Sequence, residues 1–236
     1  MDRASALRRL LALRKGRESF LDFVRFMHPE WVIPPFHVEL AEALEGVATG
    51  TLRNSEGRLI SNLMINMPPR HSKSEYCTKL FPLWYWGKWP ASHIMSASYN
   101  AVLARDFGRS VRDAITGSDM HAIFPELELR RGARSADALV STKGGHYFSV
   151  GIRATSSGRP ANCLLVDDPH KSRQEVRSKV HRDEVWSYYT SALDARLQPD
   201  DEGRMPIRIV VSTRWNPDDF CARLMKTEGW QRGEWV

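Results

Sequence analysis

The chain has 236 residues, 42% of them hydrophobic and 26% charged, with 34 basic against 28 acidic side chains and a net charge of +6. Those proportions allow one large domain, or one domain with a small appendage, and exclude a disordered chain. No apolar run approaches the roughly 20 residues that cross a bilayer, and residues 1–20 mix leucine with arginine and lysine instead of forming a secretory leader. Cys77, Cys163 and Cys221 lie far apart with no CxxC pair, which argues against a zinc site or disulfide framework and for a reducing compartment. The basic balance suits a polyanionic partner, although a solvated surface also carries such charge.

In chain order, the first segment reads as an amphipathic helix with Leu7, Leu10, Leu11 and Leu13 among basic residues. A second helix holds Phe20, Phe23, Val24 and Phe26, and Pro29, Pro34 and Pro35 then punctuate the chain. Residues 1–33 therefore read as a helical appendage. The apolar spacing of Val38, Leu40, Ala41 and Leu44 predicts a helix over 36–44. Residues 63–67 form a strand that stops at Pro68-Pro69, since proline cannot continue a ladder, and a helix opens near Ser72 or Lys73. A short strand follows at 93–97 and a long helix at 99–115. Residues 138–142 and 146–152 flank Gly144-Gly145, a hairpin signal. The apolar run 163–166 ends on two aspartates, as buried parallel strands do. Residues 173–197 read as largely helical, 207–211 as a buried strand and 217–225 as a helix. Strands alternating with helices make an α/β fold with a mostly parallel sheet, whose ligands sit beyond the carboxyl ends of the strands.

Three polar clusters fall at those ends. The first is Pro69, Arg70, His71, Ser72, Lys73, Ser74 and Glu75, between a strand and a helix. A phosphate cradle needs that context, because backbone N–H groups and a helix start face the anion. Lys73 then neutralises the outer phosphates and Ser74 takes Mg²⁺. The run departs from G-x-x-x-x-G-K-[ST] at Met67 and Ser72, and the other reading is a capping box of Ser72 with Glu75. The second cluster is Asp167-Asp168-Pro169. One carboxylate can hold Mg²⁺ and the next orient or deprotonate water; an Asp-Pro turn is the plainer reading. Two carboxylates after a buried strand are costly to desolvate without a cation. The third is Ser212, Thr213 and Arg214, which can sense a γ-phosphate or simply cap a helix.

In this order the clusters resemble the large terminase subunits of tailed bacteriophages and prophages, from about Pro34 to Trp230. The resemblance rests on Met-Pro-Pro-Arg-His-x-Lys-Ser-Glu at 67–75, Ser98-Tyr99-Asn100 with Leu103-Ala104-Arg105-Asp106-Phe107, and Gly158-Arg159 before Asp167-Asp168-Pro169. Ala195-Arg196-Leu197-x-Pro199 and Ser212-Thr213-Arg214-Trp215-x-x-Asp218-Asp219 complete it. Ser72 stands where the family usually has glycine; a non-glycine such as Met67 is tolerated at the first loop position.

The resemblance implies a P-loop NTPase of the additional-strand, catalytic-glutamate class over 34–236, using ATP and Mg²⁺. Asp168 takes the place of the water-positioning residue, more often glutamate. Arg159 matches the arginine that reaches a neighbouring subunit's ATP. The implied activity is ATP-driven translocation of double-stranded DNA, without sequence specificity, into a viral procapsid in the bacterial cytoplasm. The implied partners are a homo-oligomeric ring, the portal protein and the small terminase subunit, with no membrane. The family's nuclease domain follows the motor, and no nuclease domain or activity is expected in a chain ending at Val236. Phe36 and His37 stand where the family often contacts adenine, though a packed Phe and a surface His read equally well. Arg105, Arg109 and Arg112 share a helical face that can meet DNA or a subunit, or merely solvent. Arg130, Arg131 and Arg134 form a second basic patch. The competing functions are another P-loop DNA-dependent ATPase, such as a helicase-like enzyme, which needs a second lobe, and a catalytically weak nucleotide-binding or architectural module crippled by Ser72.

Overall fold

The computed structural model describes residues 2–154, 158–227 and 231–234. Three helices come first: α1 (Arg3–Glu18), α2 (Phe20–Met27) and α3 (Pro35–Thr49). Strand β1 (Asn62–Asn66) leads through a loop into a π-helical turn at Glu75–Leu80 and then α4 (Phe81–Lys88). Next come β2 (His93–Ser98), α5 (Ala101–Ile115) and α6 (Ser118–Ile123). An antiparallel meander of β3 (Leu129–Ser135), β4 (Ala138–Ser141) and β5 (His146–Gly151) turns through Gly144 at φ +91, as the Gly-Gly pair requires. Strand β6 (Cys163–Asp167) precedes α7 (Arg173–Arg177) and α8 (Lys179–Tyr188); then come β7 (Ile207–Ser212), α9 (Phe220–Leu224) and β8 (Gln231–Glu234).

The sheet order is β3-β4-β5-β2-β6-β7-β1-β8. Every neighbouring pair from β5 to β8 is parallel. Strand β7 lies between β1 and β6, with Val211 opposite both Ile65 and Asp167. The ends of β1 and β6 therefore flank one inserted strand.

The period of two in a strand divides the core between the two faces. Leu63, Ile65, Ile209 and Val211 join a core with residues of α2, α3, α4 and α5. Met64, Leu164, Val166 and Val210 face the other way, onto Val185, Tyr189, Phe220 and Leu224. The helix after β1 thus covers one face and the helices after β6 and β7 the other. That arrangement opens crevices at the carboxyl edge.

Helix α2 has only eight residues, too few to be stable alone. Phe20, Phe23 and Val24 are fully buried, and the Phe20 ring packs edge-on against Phe81 and Tyr76, so α2 is clamped to the helix leaving the loop. Burial of such side chains contributes about 1.5–3 kcal/mol each. The expected amphipathicity of α1 is not realised: Leu7, Leu10 and Leu11 remain 58%, 63% and 49% exposed, because α1 meets its neighbours through Gly16 and the partly buried Leu13. Helix α9 begins at Phe220, three residues later than expected, because Asp219 caps it. Helix α6 and strand β3, which carries Arg130 and Arg131, were not legible as regular elements. Among the described residues no helix is long and apolar enough to cross a membrane.

Candidate nucleotide site

The loop after β1 begins with buried Met67, held where its carbonyl accepts from the Thr213 hydroxyl at 3.2 Å. Pro68, Pro69, Arg70, His71 and Ser72 are exposed. Arg70 and Ser72 adopt left-handed backbone, at φ +66 and +56. A non-glycine residue there costs about 1–2 kcal/mol. Ser72 thus takes a backbone that favours glycine; its carbonyl accepts the Tyr76 N–H at 3.0 Å, but its side chain makes no capping bond among the described residues. Glu75 reaches Lys79 at 2.6 Å, so the alternative capping box is not formed. The helix begins at Lys73, as expected, and widens at once into the π turn. Such turns often mark functional positions.

Lys73 is 8% exposed, and its ammonium lies 2.7 Å from Asp168 Oδ2. Asp168 is itself left-handed, at φ +42. Its other oxygen accepts from the Thr213 backbone N–H at 3.1 Å, and its own N–H donates to Val211 at 2.8 Å. Strained backbone of this kind concentrates where function over-determines the geometry. Asp167 is buried, and its Oδ2 accepts from Thr78 Oγ1 at 2.7 Å. Burial and then the Asp168 charge push the Asp167 carboxyl up to about 6, against the Thr78 and Ser74 hydroxyls and the Lys73 charge. The structure therefore brings together Lys73, Ser74, Asp167 and Asp168.

Among the described residues no three His, Cys, Asp or Glu side chains gather into a metal cage. Mg²⁺ that arrives with a nucleotide does not need one, since it keeps waters and phosphate oxygens and takes one or two carboxylates. A buried carboxylate pushed towards protonation beside a second carboxylate, with the Ser74 hydroxyl facing it, fits such an ion.

Beyond β7, Ser212 is buried and Thr213 touches both Asp168 and Met67. Arg214 turns away: its Nε donates to both oxygens of Asp219, at 3.1 and 3.0 Å. Buried Asp219 also accepts the N–H groups of Trp215, Asn216 and Ala222. One carboxylate thus gathers the whole 214–219 turn. Its neighbour Asp218 pairs with Arg182 and Arg223.

His37 is buried, contrary to a surface reading. Its Nε2 lies 3.0 Å from the His71 carbonyl and its ring stacks on Tyr76 at 4.4 Å, so it braces the loop. Phe36 stays half-buried beside His37 and His71. Arg105, Arg109 and Arg112 lie on α5, paired with Asp137, Asp106 and Asp113. Arg159 lies over the Phe148 ring of β5, its guanidinium carbon 4.9 Å from the centroid, with no carboxylate within ion-pair distance among the described residues. A cavity of about 500 Å³ between α5, α6 and β3 is remote from all this chemistry. Thr78 and Asp219 were missed as site residues, while Thr213, which was expected there, acts through its backbone N–H and its hydroxyl. Only Thr78, four residues after Ser74 on one helix, left a positional signal.

No family model matches the sequence, and no curated protein does. Solved structures do match. An arginine-to-alanine mutant of the Thermus phage P74-26 large terminase ATPase domain has a TM-score of 0.54 at 10% identity, over 87% of this chain and 87% of that one. The HK97 bacteriophage large terminase has a TM-score of 0.53 at 14% identity, over 83% of this chain. The chain has the fold of a large-terminase ATPase domain. It matches 36% of the HK97 chain, about a third of that protein's length. This is a P-loop NTPase fold with a mostly parallel sheet, in which β7 is inserted between β1 and the acidic strand β6.

Proposed function

We propose that the chain is the ATPase motor domain of a large terminase subunit, hydrolysing ATP to drive double-stranded DNA into a viral procapsid. The observation that carries this reading is the 2.7 Å contact of Lys73 with Asp168 across the end of the inserted strand, in a fold shared with large-terminase ATPase domains. A lysine at a left-handed loop and a carboxylate held by backbone are the parts that phosphoryl transfer needs. Lys73 meets the β- and γ-phosphates, with the loop 69–75 around them. Ser74 and Asp167 hold Mg²⁺, which when bound neutralises charge on the phosphates. Asp168 orients the attacking water and takes its proton as the phosphoryl group passes to that oxygen and ADP leaves. Nucleotide entry separates Lys73 from Asp168, so the event that engages the lysine frees the carboxylate. Thr213 reports the change through its N–H, and Ser212 and Arg214 belong to the same coupling turn. Phe36 is left to contact adenine, while His37 steadies the loop.

In this reading residues 34–236 are the motor, and 1–33 a helical appendage docked through α2. It works as a homo-oligomeric ring with the portal protein and the small subunit in the host cytoplasm, on DNA held by its phosphates without sequence preference. The strained Ser72 favours a second reading, a weak nucleotide-binding module of the same ring.

Steady-state ATPase assays with and without double-stranded DNA test both. The expected outcome is DNA-stimulated turnover that falls on the order of 10²-fold or more in Lys73→Ala, the scale of losing one preorganised group. Asp168→Asn should still bind Mg-ATP and turn it over far more slowly. Turnover of Lys73→Ala at the parent rate removes the assignment; nucleotide binding without turnover in the parent favours the second reading.

A further inference from the structure

We propose that Lys171, Arg173 and Arg177 form a contact for the phosphate backbone of double-stranded DNA, a surface that rests on the translocation reading above. All three are exposed, and none has a carboxylate within 4.0 Å among the described residues. By contrast, the arginines of α5 each hold an aspartate, and the next lysine along the chain, Lys179, holds Asp183. The one acidic side chain within α7, Glu175, is already engaged. It accepts the Lys171 backbone N–H at 3.3 Å and faces His181 Nε2 at 3.4 Å. It forms no ion pair within 4.0 Å with Lys171, Arg173 or Arg177.

The segment is fixed by other residues, leaving these cations free to work. Val176 is fully buried, His170 nearly so, and the Ser172 hydroxyl accepts from the Glu175 N–H at the helix start. Arg173 and Arg177 are four residues apart on one helix, so they share a face and rise about 6 Å relative to each other. Two like charges so placed disfavour the helix. A polyanion reverses that penalty, and a DNA strand presents one phosphate every ~3.4 Å of axis, so each arginine can meet a different phosphate.

The position within the fold ties the contact to hydrolysis. Lys171 is three residues beyond Asp168, at the same carboxyl edge of the sheet as the phosphate loop. Asp168 contacts Lys73 at the near end of this segment, and buried His170 anchors its middle. A change at Asp168 therefore reaches the basic surface through three residues of backbone. The α5 arginines have no such link, and each would have to surrender an aspartate to bind a phosphate.

The test is equilibrium binding of a fluorescent duplex to the full chain across salt from about 50 to 200 mM. In the Lys171→Ala/Arg173→Ala/Arg177→Ala variant, affinity should fall and the slope of log K against log salt should become shallower by about 0.9 for each lost phosphate contact, roughly 2–3 in all. ATP turnover without DNA should stay at the parent level, and Arg173→Lys/Arg177→Lys, which keeps the charge, should bind near the parent affinity. The parent's affinity and salt slope in the triple alanine variant would overturn the inference and leave the translocation reading standing. So would a slope lost only in an Arg105→Ala/Arg109→Ala/Arg112→Ala control. A parent chain that hydrolyses ATP but binds no duplex at any salt in the range would overturn the inference together with the DNA partner.

Discussion

Ser72 shows how much a single side chain can weigh in the loop after β1. Its φ of +56 costs a serine about 1–2 kcal/mol, which a glycine does not incur. Glycine gives back about 0.5–1 kcal/mol through the greater freedom of the unfolded chain. Ser72→Gly should therefore change stability little, by between nothing and about 1.5 kcal/mol in its favour, while a backbone without Cβ comes closer to phosphate and binds ATP more tightly. Calorimetry showing weaker ATP binding, or a melt clearly below the parent, would contradict this. The convergence of Lys73, Asp167 and Asp168 was legible because they sit at strand ends that apolar runs announce. Thr78 left only its spacing from Ser74, which means nothing until its partner 89 residues away is known. The burial of His37, left open between an adenine contact and a surface residue, was illegible for the same reason: only the fold brings the His71 carbonyl and the Tyr76 ring to it.

Regular elements were readable where burial wrote them. Strands β1, β2, β6 and β7 came out within a residue or so, because a strand covered on both faces is a continuous apolar run. Strand β3 sits at the sheet edge and carries Arg130 and Arg131, so it offered neither run nor alternation. The expected start of α9 at Pro217 is three residues early, because Asp219 is the cap. That cap makes a prediction at this scale. Asp219→Asn removes the charge that holds Arg214, and one amide oxygen cannot accept everything the carboxylate does. A lost cap costs about 1 kcal/mol, and a hydrogen bond to a charged group about 1.5–3 kcal/mol. Arg214 is partly exposed, so the lower end of that range applies. A loss of about 2–3 kcal/mol should lower the melting temperature by about 5–10 °C for a chain of this size. ATP affinity should hold while turnover drops, since the turn carries the Thr213 N–H that meets Asp168. An Asp219→Asn protein that melts and turns over like the parent would remove the carboxylate from this role.

At the scale of the whole molecule, the order of the strands was the part no local pattern could show. The β1–β7 pairing joins residues about 146 apart, and only family resemblance implied an additional strand. The same order decides what Arg159 can do. Its guanidinium lies over Phe148 on β5, which is level with Met95 and Leu164, so it stands two strands across from β6, about 10 Å at ~4.8 Å per strand, and four residues short of Asp168 and its Lys73 contact, about 13 Å at ~3.3 Å per residue. In that position Arg159 stands apart from the place where the proposed function puts the phosphates of its own chain, and no carboxylate lies within ion-pair distance of it among the described residues. A guanidinium stays charged and offers a planar fork of donors. Lent to the active site of an adjacent copy, it would be worth roughly 10³–10⁵ in rate. Complementation tests this directly. Arg159→Ala and Lys73→Ala should each be inactive alone. Mixed under conditions that allow rings to form, they should regain part of the parent turnover, because one supplies an intact phosphate loop and the other an intact arginine. Full activity of Arg159→Ala by itself, or no recovery in rings shown to contain both chains, would leave the Phe148 contact as the whole of its role.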